Sequence, residues 1–190
     1  MSQVDLLRHV VSILEEAGIE YMITGSIASS LQGEPRATHD LDVVVEIRDA
    51  DVPVVLAAFP KPRFYAERKA IREAIRTGGM FNVIDVSEGD KVDFWMLTDE
   101  PFDQSRFSRR IRERALGIEF DVSSPEDTIL AKLRWSKLGG GTSKPYLDAL
   151  RVSEVQNEIL NHPYLDDWAS RLEVLDLWDR LQRDAETPQD

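Results

Sequence analysis

The sequence predicts an α+β fold: a small mixed sheet flanked by helices, followed by a part built from helices alone. Three observations predict it. Short apolar runs alternate with helix-period segments as far as Val122. Beyond Ser123 only helix signals remain. The chain has 190 residues, 42% of them hydrophobic, enough for one substantial core with a helical appendage. The expected division is a core over 1–122, a helical subdomain over 123–184 and a tail over 185–190.

The elements follow in order. Residues 4–17 place Leu6, Leu7, Val10, Val11, Ile13 and Leu14 at helical spacing, and Gly18 ends the helix. Residues 21–24 are a short apolar strand. Gly25-Ser26 opens a second helix through Leu31, and Gly33-Glu34-Pro35 breaks it. Residues 40–47 form the second strand. A helix to Phe59 tolerates Pro53 in its first turn. A short strand over 63–65 and a helix over 67–76 come next. Residues 81–86 and 92–97 flank a turn at Ser87-Glu88-Gly89-Asp90 and read as a hairpin. A helix over 101–109 precedes an edge strand or second hairpin over 115–122. Ser124-Pro125-Glu126-Asp127 then starts a helix with a capping serine, a proline in the first turn and two acids at its positive end. That helix runs to Leu138, where Gly139-Gly140-Gly141 stops it. Helices over 143–156 and 163–182 complete the chain. Trp135, Trp168 and Trp178 sit among leucines at amphipathic spacing, so core or interhelical packing is expected of them.

Composition excludes several chemistries. With no cysteine there is no disulfide, thiolate metal site or cysteine nucleophile. Three scattered histidines do not suggest a zinc site. No apolar run reaches the length of a membrane helix, and the charged N-terminal helix does not read as a signal peptide. A cytoplasmic location with no membrane partner is therefore expected. Net charge is −12, with ten acids against three bases from residue 154 onward. Residues 106–114 nevertheless hold five arginines, which are either a solvated face or a seat for a polyanion.

The chemistry concentrates in GSIASSLQGEPRATHDLDVVVE, residues 25–46. Residues i and i+2 of a strand share a face, so Asp40 and Asp42 project together, away from Leu41 and Val43. Two adjacent carboxylates repel unless a cation neutralises them, and hard oxygen ligands suit Mg²⁺ or Mn²⁺. Asp93 is a lone acid within the apolar run Val92-Asp93-Phe94-Trp95 and can complete a two-metal site. Gly25-Ser26, at a helix start, offers free amides to a phosphate. Metals on one side and amides on the other would hold a triphosphate.

This pattern resembles the DNA polymerase beta-type nucleotidyltransferase superfamily. The resemblance is carried by Gly25-Ser26, by Arg36-Ala37-Thr38-His39-Asp40-Leu41-Asp42, and by Asp93. Within the superfamily the chain is most similar to minimal bacterial proteins around the AbiEii-type toxins, which add a helix with a lysine and a helix with an aspartate. Lys132 and Asp148 match those two positions, and the likeness spans roughly residues 5–155. It implies two Mg²⁺ or Mn²⁺ ions on Asp40, Asp42 and Asp93, with Asp93 also taking the proton of the attacking hydroxyl or lowering that hydroxyl's pKa through the metal. Gly25 and Ser26 would hold the β- and γ-phosphates of an NTP, or simply cap the helix. Lys132 would neutralise transition-state charge, or is an ordinary helix lysine. Thr38 would orient the aspartate strand. Arg36 either touches phosphate or pairs with an acid. Asp148 would bond Lys132 or a ribose, or is a plain surface acid. Trp95 lines the nucleotide pocket or packs in the core, and His39 is non-catalytic.

The implied activity is metal-dependent transfer of a nucleoside monophosphate from an NTP to an acceptor hydroxyl. The acceptor is an RNA 3′ end, a protein side chain or a small molecule such as an aminoglycoside. A toxin of a toxin–antitoxin pair, with an antitoxin partner, is the setting the resemblance suggests. The alternative is a non-catalytic nucleotide- or partner-binding module that keeps the fold.

Overall fold

The computed structural model describes residues 2–140 and 143–186. Its helices are α1 (Gln3–Glu16), α2 (Gly25–Gln32), α3 (Val52–Ala58), α4 (Arg68–Thr77), α5 (Pro101–Ser108), α6 (Pro125–Leu138), α7 (Ser143–Gln156), α8 (His162–Arg171) and α9 (Leu175–Glu186). Its strands are β1 (Tyr21–Thr24), β2 (Asp40–Val45), β3 (Phe64–Tyr65), β4 (Met80–Asp85), β5 (Lys91–Met96), β6 (Ile111–Ala115) and β7 (Ile118–Val122). No helix among the described residues is long and apolar enough to cross a membrane. Two compact units emerge: Met1–Thr24 with Ala37–Val122, and Gly25–Arg36 with Ser123–Asp190.

The first unit holds a seven-stranded sheet in the order β3-β4-β5-β2-β1-β7-β6. The β2–β5 and β1–β7 pairs are parallel and the remaining neighbours antiparallel, so the sheet is mixed. Period-two alternation gives it two unlike faces. Leu41, Val43, Val45, Val92, Phe94, Phe81 and Val83 form an apolar face, each at most 2% exposed. Phe81 and Phe94 stack at 4.9 Å, and Phe59, just after α3, meets Phe94 edge-on. His9 of α1 donates from Nε2 to the Ala58 carbonyl at 3.0 Å. A capping box starts α1: Ser2 Oγ accepts from the Asp5 amide, and the Asp5 carboxylate accepts from the Ser2 amide. On the opposite face Met22, Val44 and Phe107 form a second apolar cluster with Trp95 and Leu97, leaving the Asp40 end of the strands polar.

The second unit is helical. The α6–α7 pair forms its centre around Ile129, Leu130, Leu133, Ala149, Leu150 and Val152, all at most 1% exposed. Helix α2 packs on both. Gln32 donates from Nε2 to the Ser123 carbonyl at 2.6 Å, and Gln156 donates to the Gln32 carbonyl at 2.8 Å. Buried Asp127 ties α8 to α6, accepting from Tyr164 Oη at 2.6 Å and from the capping Ser124 Oγ at 2.7 Å.

The structure alters three expectations. The helix expected over 163–182 is two helices, α8 and α9. Glu173 turns left-handed at φ 56°, its amide bonds Ser170 O and the Val174 amide bonds Ala169 O, a Schellman ending. Strand β6 arises inside the arginine-rich run and makes 115–122 part of a hairpin turned by Leu116 and Gly117. Trp168 and Trp178 are buried, but Trp135 is 54% exposed on α6. Ala185 and Glu186 close α9, and the rest of the expected tail, like Gly141 of the glycine loop, lies outside the described residues.

Candidate active site

The first unit concentrates its polar groups in a row across the sheet. Thr24 of β1 stands opposite Asp42 of β2, Asp42 opposite Asp93 of β5, and Asp93 opposite Asn82 of β4. Asp40 pairs with Lys91 one step away on the same face. Asp40 has 56% of its side chain exposed, whereas Asp93 has 10%. A carboxylate this buried requires partners. Asn82 Nδ2 donates to one Asp93 oxygen. Lys91 Nζ lies 2.8 Å from the other and 3.6 Å from Asp40 Oδ1. Its hydrogen bond to Asp93 raises the Lys91 ammonium above its ordinary pKa, so it is charged at neutral pH. Trp95 Nε1 donates to Asp42 Oδ1 at 3.3 Å. Just ahead of β2, Thr38 Oγ1 accepts from the Asp40 amide at 3.3 Å and so braces the start of the strand.

Among the described residues, no three acidic or imidazole side chains converge as a ready-made metal group. Asp40, Asp42 and Asp93 nonetheless offer only carboxylate oxygens on this face, the donor type a hard divalent cation takes, and Lys91 lies within reach of both Asp40 and Asp93.

The second unit carries the other predicted residues. Gly25 opens α2 at φ 63°, a left-handed value that a side chain would strain. Ser26, in the first turn, accepts at Oγ from Arg36 Nη2 at 2.6 Å. Arg36 grips Asp148 with two bonds, Nε to Oδ1 at 3.0 Å and Nη2 to Oδ2 at 2.9 Å. Lys132 Nζ donates to the same Oδ2 at 2.6 Å. Thus Ser26, Arg36, Lys132 and Asp148 form one network. Burial alone would raise the Asp148 carboxyl, but the bonds and charges of Arg36 and Lys132 outweigh it and hold the group below its ordinary value. A cleft of about 410 Å³ opens beside the network, lined in part by Ser29, Arg36, Lys144, Asp148 and Arg151.

Sequence reasoning missed Lys91 and Asn82. The period-two rule that put Asp40 beside Asp42 also puts Lys91 beside Asp93, so Lys91 was findable. Asn82 needed the β4–β5 register. The arginine run is largely committed within the first unit. Arg106 pairs with Asp103 at 3.0 Å, Arg110 with Glu20 and Asp121, and Arg112 with Glu15 at 2.7 Å and Asp121 at 3.3 Å.

Comparison with solved structures gives this arrangement a context. The antibiotic-resistance factor ANT(2'')-Ia in solution superposes with a TM-score of 0.55 at 14% identity, over 96% of this chain and 94% of that one. Its crystal structure in complex with adenylyl-2''-tobramycin gives 0.60 at 12% identity, over 91% and 98%. An antigenic nucleotidyltransferase-like protein from Paracoccidioides brasiliensis gives 0.55 at 18% identity, over 95% and 92%. The fold is that of a nucleotidyltransferase. No protein-family model matches the sequence, and no curated protein matches it. At these identities the nucleotidyltransferase likeness is one of fold.

Proposed function

We propose that this chain is a metal-dependent nucleotidyltransferase that moves a nucleoside monophosphate from an NTP to an acceptor hydroxyl. The observation that carries the reading is the carboxylate group Asp40, Asp42 and Asp93, aligned by strand register on a sheet whose other face is apolar core. Structural proteins avoid gathering acids at such a place, because desolvation and mutual repulsion both oppose it. Asp40 and Asp42 would hold a divalent cation, which when bound supplies positive charge to the triphosphate and lowers the pKa of the acceptor hydroxyl.

The chain's own residues supply the rest. The acceptor oxygen attacks the α-phosphorus, the bond to the bridging oxygen breaks, and pyrophosphate leaves. Asp93, held by Asn82 and Lys91, receives the hydroxyl proton. Trp95 fixes the orientation of Asp42 through Nε1. By the family resemblance, Gly25 and Ser26 would offer the amides of the α2 start to phosphate oxygens. Lys132 is kept in place by Asp148, and the same resemblance would give it the role of offsetting negative charge in the transition state.

For the acceptor, the ion-paired arginines and the net charge of −12 favour a small cationic molecule over RNA. ANT(2'')-Ia bound to adenylyl-2''-tobramycin is a precedent on this fold. A toxin role with an antitoxin partner rests on the AbiEii-like motifs alone.

The test incubates the protein with Mg²⁺ and each α-³²P-labelled NTP, with aminoglycosides, cellular RNA or protein extract as acceptor. Label should pass to one acceptor class, and Asp42→Asn should reduce transfer by at least 10²-fold, about 3 kcal/mol, with an unchanged circular dichroism spectrum. Transfer that survives Asp42→Asn intact would refute the assignment.

A further inference from the structure

We infer that Lys91 takes the place of a second divalent cation, so that the site binds one metal ion per chain and completes its charge with an ammonium group. The inference rests on the nucleotidyltransferase reading and makes it more specific. Its basis is that both oxygens of Asp93 already have donors from the chain itself: Asn82 on Oδ1 and Lys91 on Oδ2 at 2.8 Å. A metal on Asp93 would have to displace the ammonium or sit beside it against like charge.

The position of Lys91 is built in. Its Cα is the register partner of Asp40, and it lies two residues before Asp93 on β5, so its side chain rises on the face that carries all three acids. From there it reaches Asp40 Oδ1 at 3.6 Å as well. Like a bridging metal, it connects two carboxylates. Unlike a metal, it is tethered, so its single charge does not depend on ion concentration. Asp40 and Asp42 remain as the pair that a divalent ion can engage. Asp93 is then a proton acceptor steadied by Lys91 and is not a metal ligand.

The experiment counts Mn²⁺ by electron paramagnetic resonance, with protein and an equimolar, non-hydrolysable NTP analogue, and the analogue alone as reference. The wild type should take up about one ion per chain, Lys91→Arg about one, and Lys91→Met about two. Two ions in the wild type, or a single ion in Lys91→Met, would overturn the inference while leaving the nucleotidyltransferase reading intact. No nucleotide-dependent uptake in any variant would overturn both. The wild-type count stands by itself if Lys91→Met does not fold, which circular dichroism would reveal.

Discussion

Asp148 shows how one partly buried acid organises a network. It receives three charge-assisted bonds, two from Arg36 and one from Lys132, and through Arg36 it also fixes the Ser26 hydroxyl. Substitution by asparagine keeps the shape but leaves two cations without their anion. Asp148→Asn should therefore cost about 2 kcal/mol at pH 7, measured by urea unfolding. The pH dependence has a definite sign. The folded-state pKa is held below the unfolded value near 4, so the stabilisation is present above about pH 4 and disappears as pH falls through the folded value. The stability gap between wild type and Asp148→Asn should accordingly be full at pH 6–7 and narrow toward pH 3. A gap that stays constant over that range would mean that Asp148 is not held as an anion by its neighbours.

At the scale of elements, Gly33 decides how closely α2 approaches α7. A Cβ at this position would stand 2.8 Å from the Val152 nitrogen and 2.9 Å from the Arg151 carbonyl carbon. Both are backbone atoms, so a helix must move. Gly33→Ala should destabilise by about 1–3 kcal/mol, with an unchanged urea m-value. In the sequence Gly33 reads only as part of a breaker, because a close approach between distant segments has no local signature. The same limit explains what else was and was not legible. The Asp40–Asp42 pair and the lone Asp93 follow from period-two alternation, a strictly local rule, and the strand register brings them together. The hairpin of β6 and β7 was half legible, since Leu116 at φ 54° occupies a turn position where asparagine or glycine would have announced it. The break between α8 and α9 was hidden for a similar reason, because Glu173 takes a left-handed position usually given to glycine. Trp135 follows helical spacing among leucines but lies on the exposed side of α6, where periodicity alone could not place it.

For the molecule as a whole, the compact units are not successive stretches of chain. The first unit is left at Thr24 and rejoined at Ala37, and the intervening α2 segment is part of the second. A cut at the composition change after Val122 therefore keeps all seven strands but removes the partners of α2. Gln32 loses the Ser123 carbonyl, Arg36 loses Asp148, and the buried Ile27 and Ala28 lose the α6–α7 pair on which α2 packs. An isolated helix of eight residues is far below the length at which helices hold by themselves in water. In a chain ending at Val122, hydrogen exchange should find the α2 amides essentially unprotected and the β2 and β5 amides still protected. Protection of α2 in that shortened chain would show that the helix does not depend on the C-terminal half.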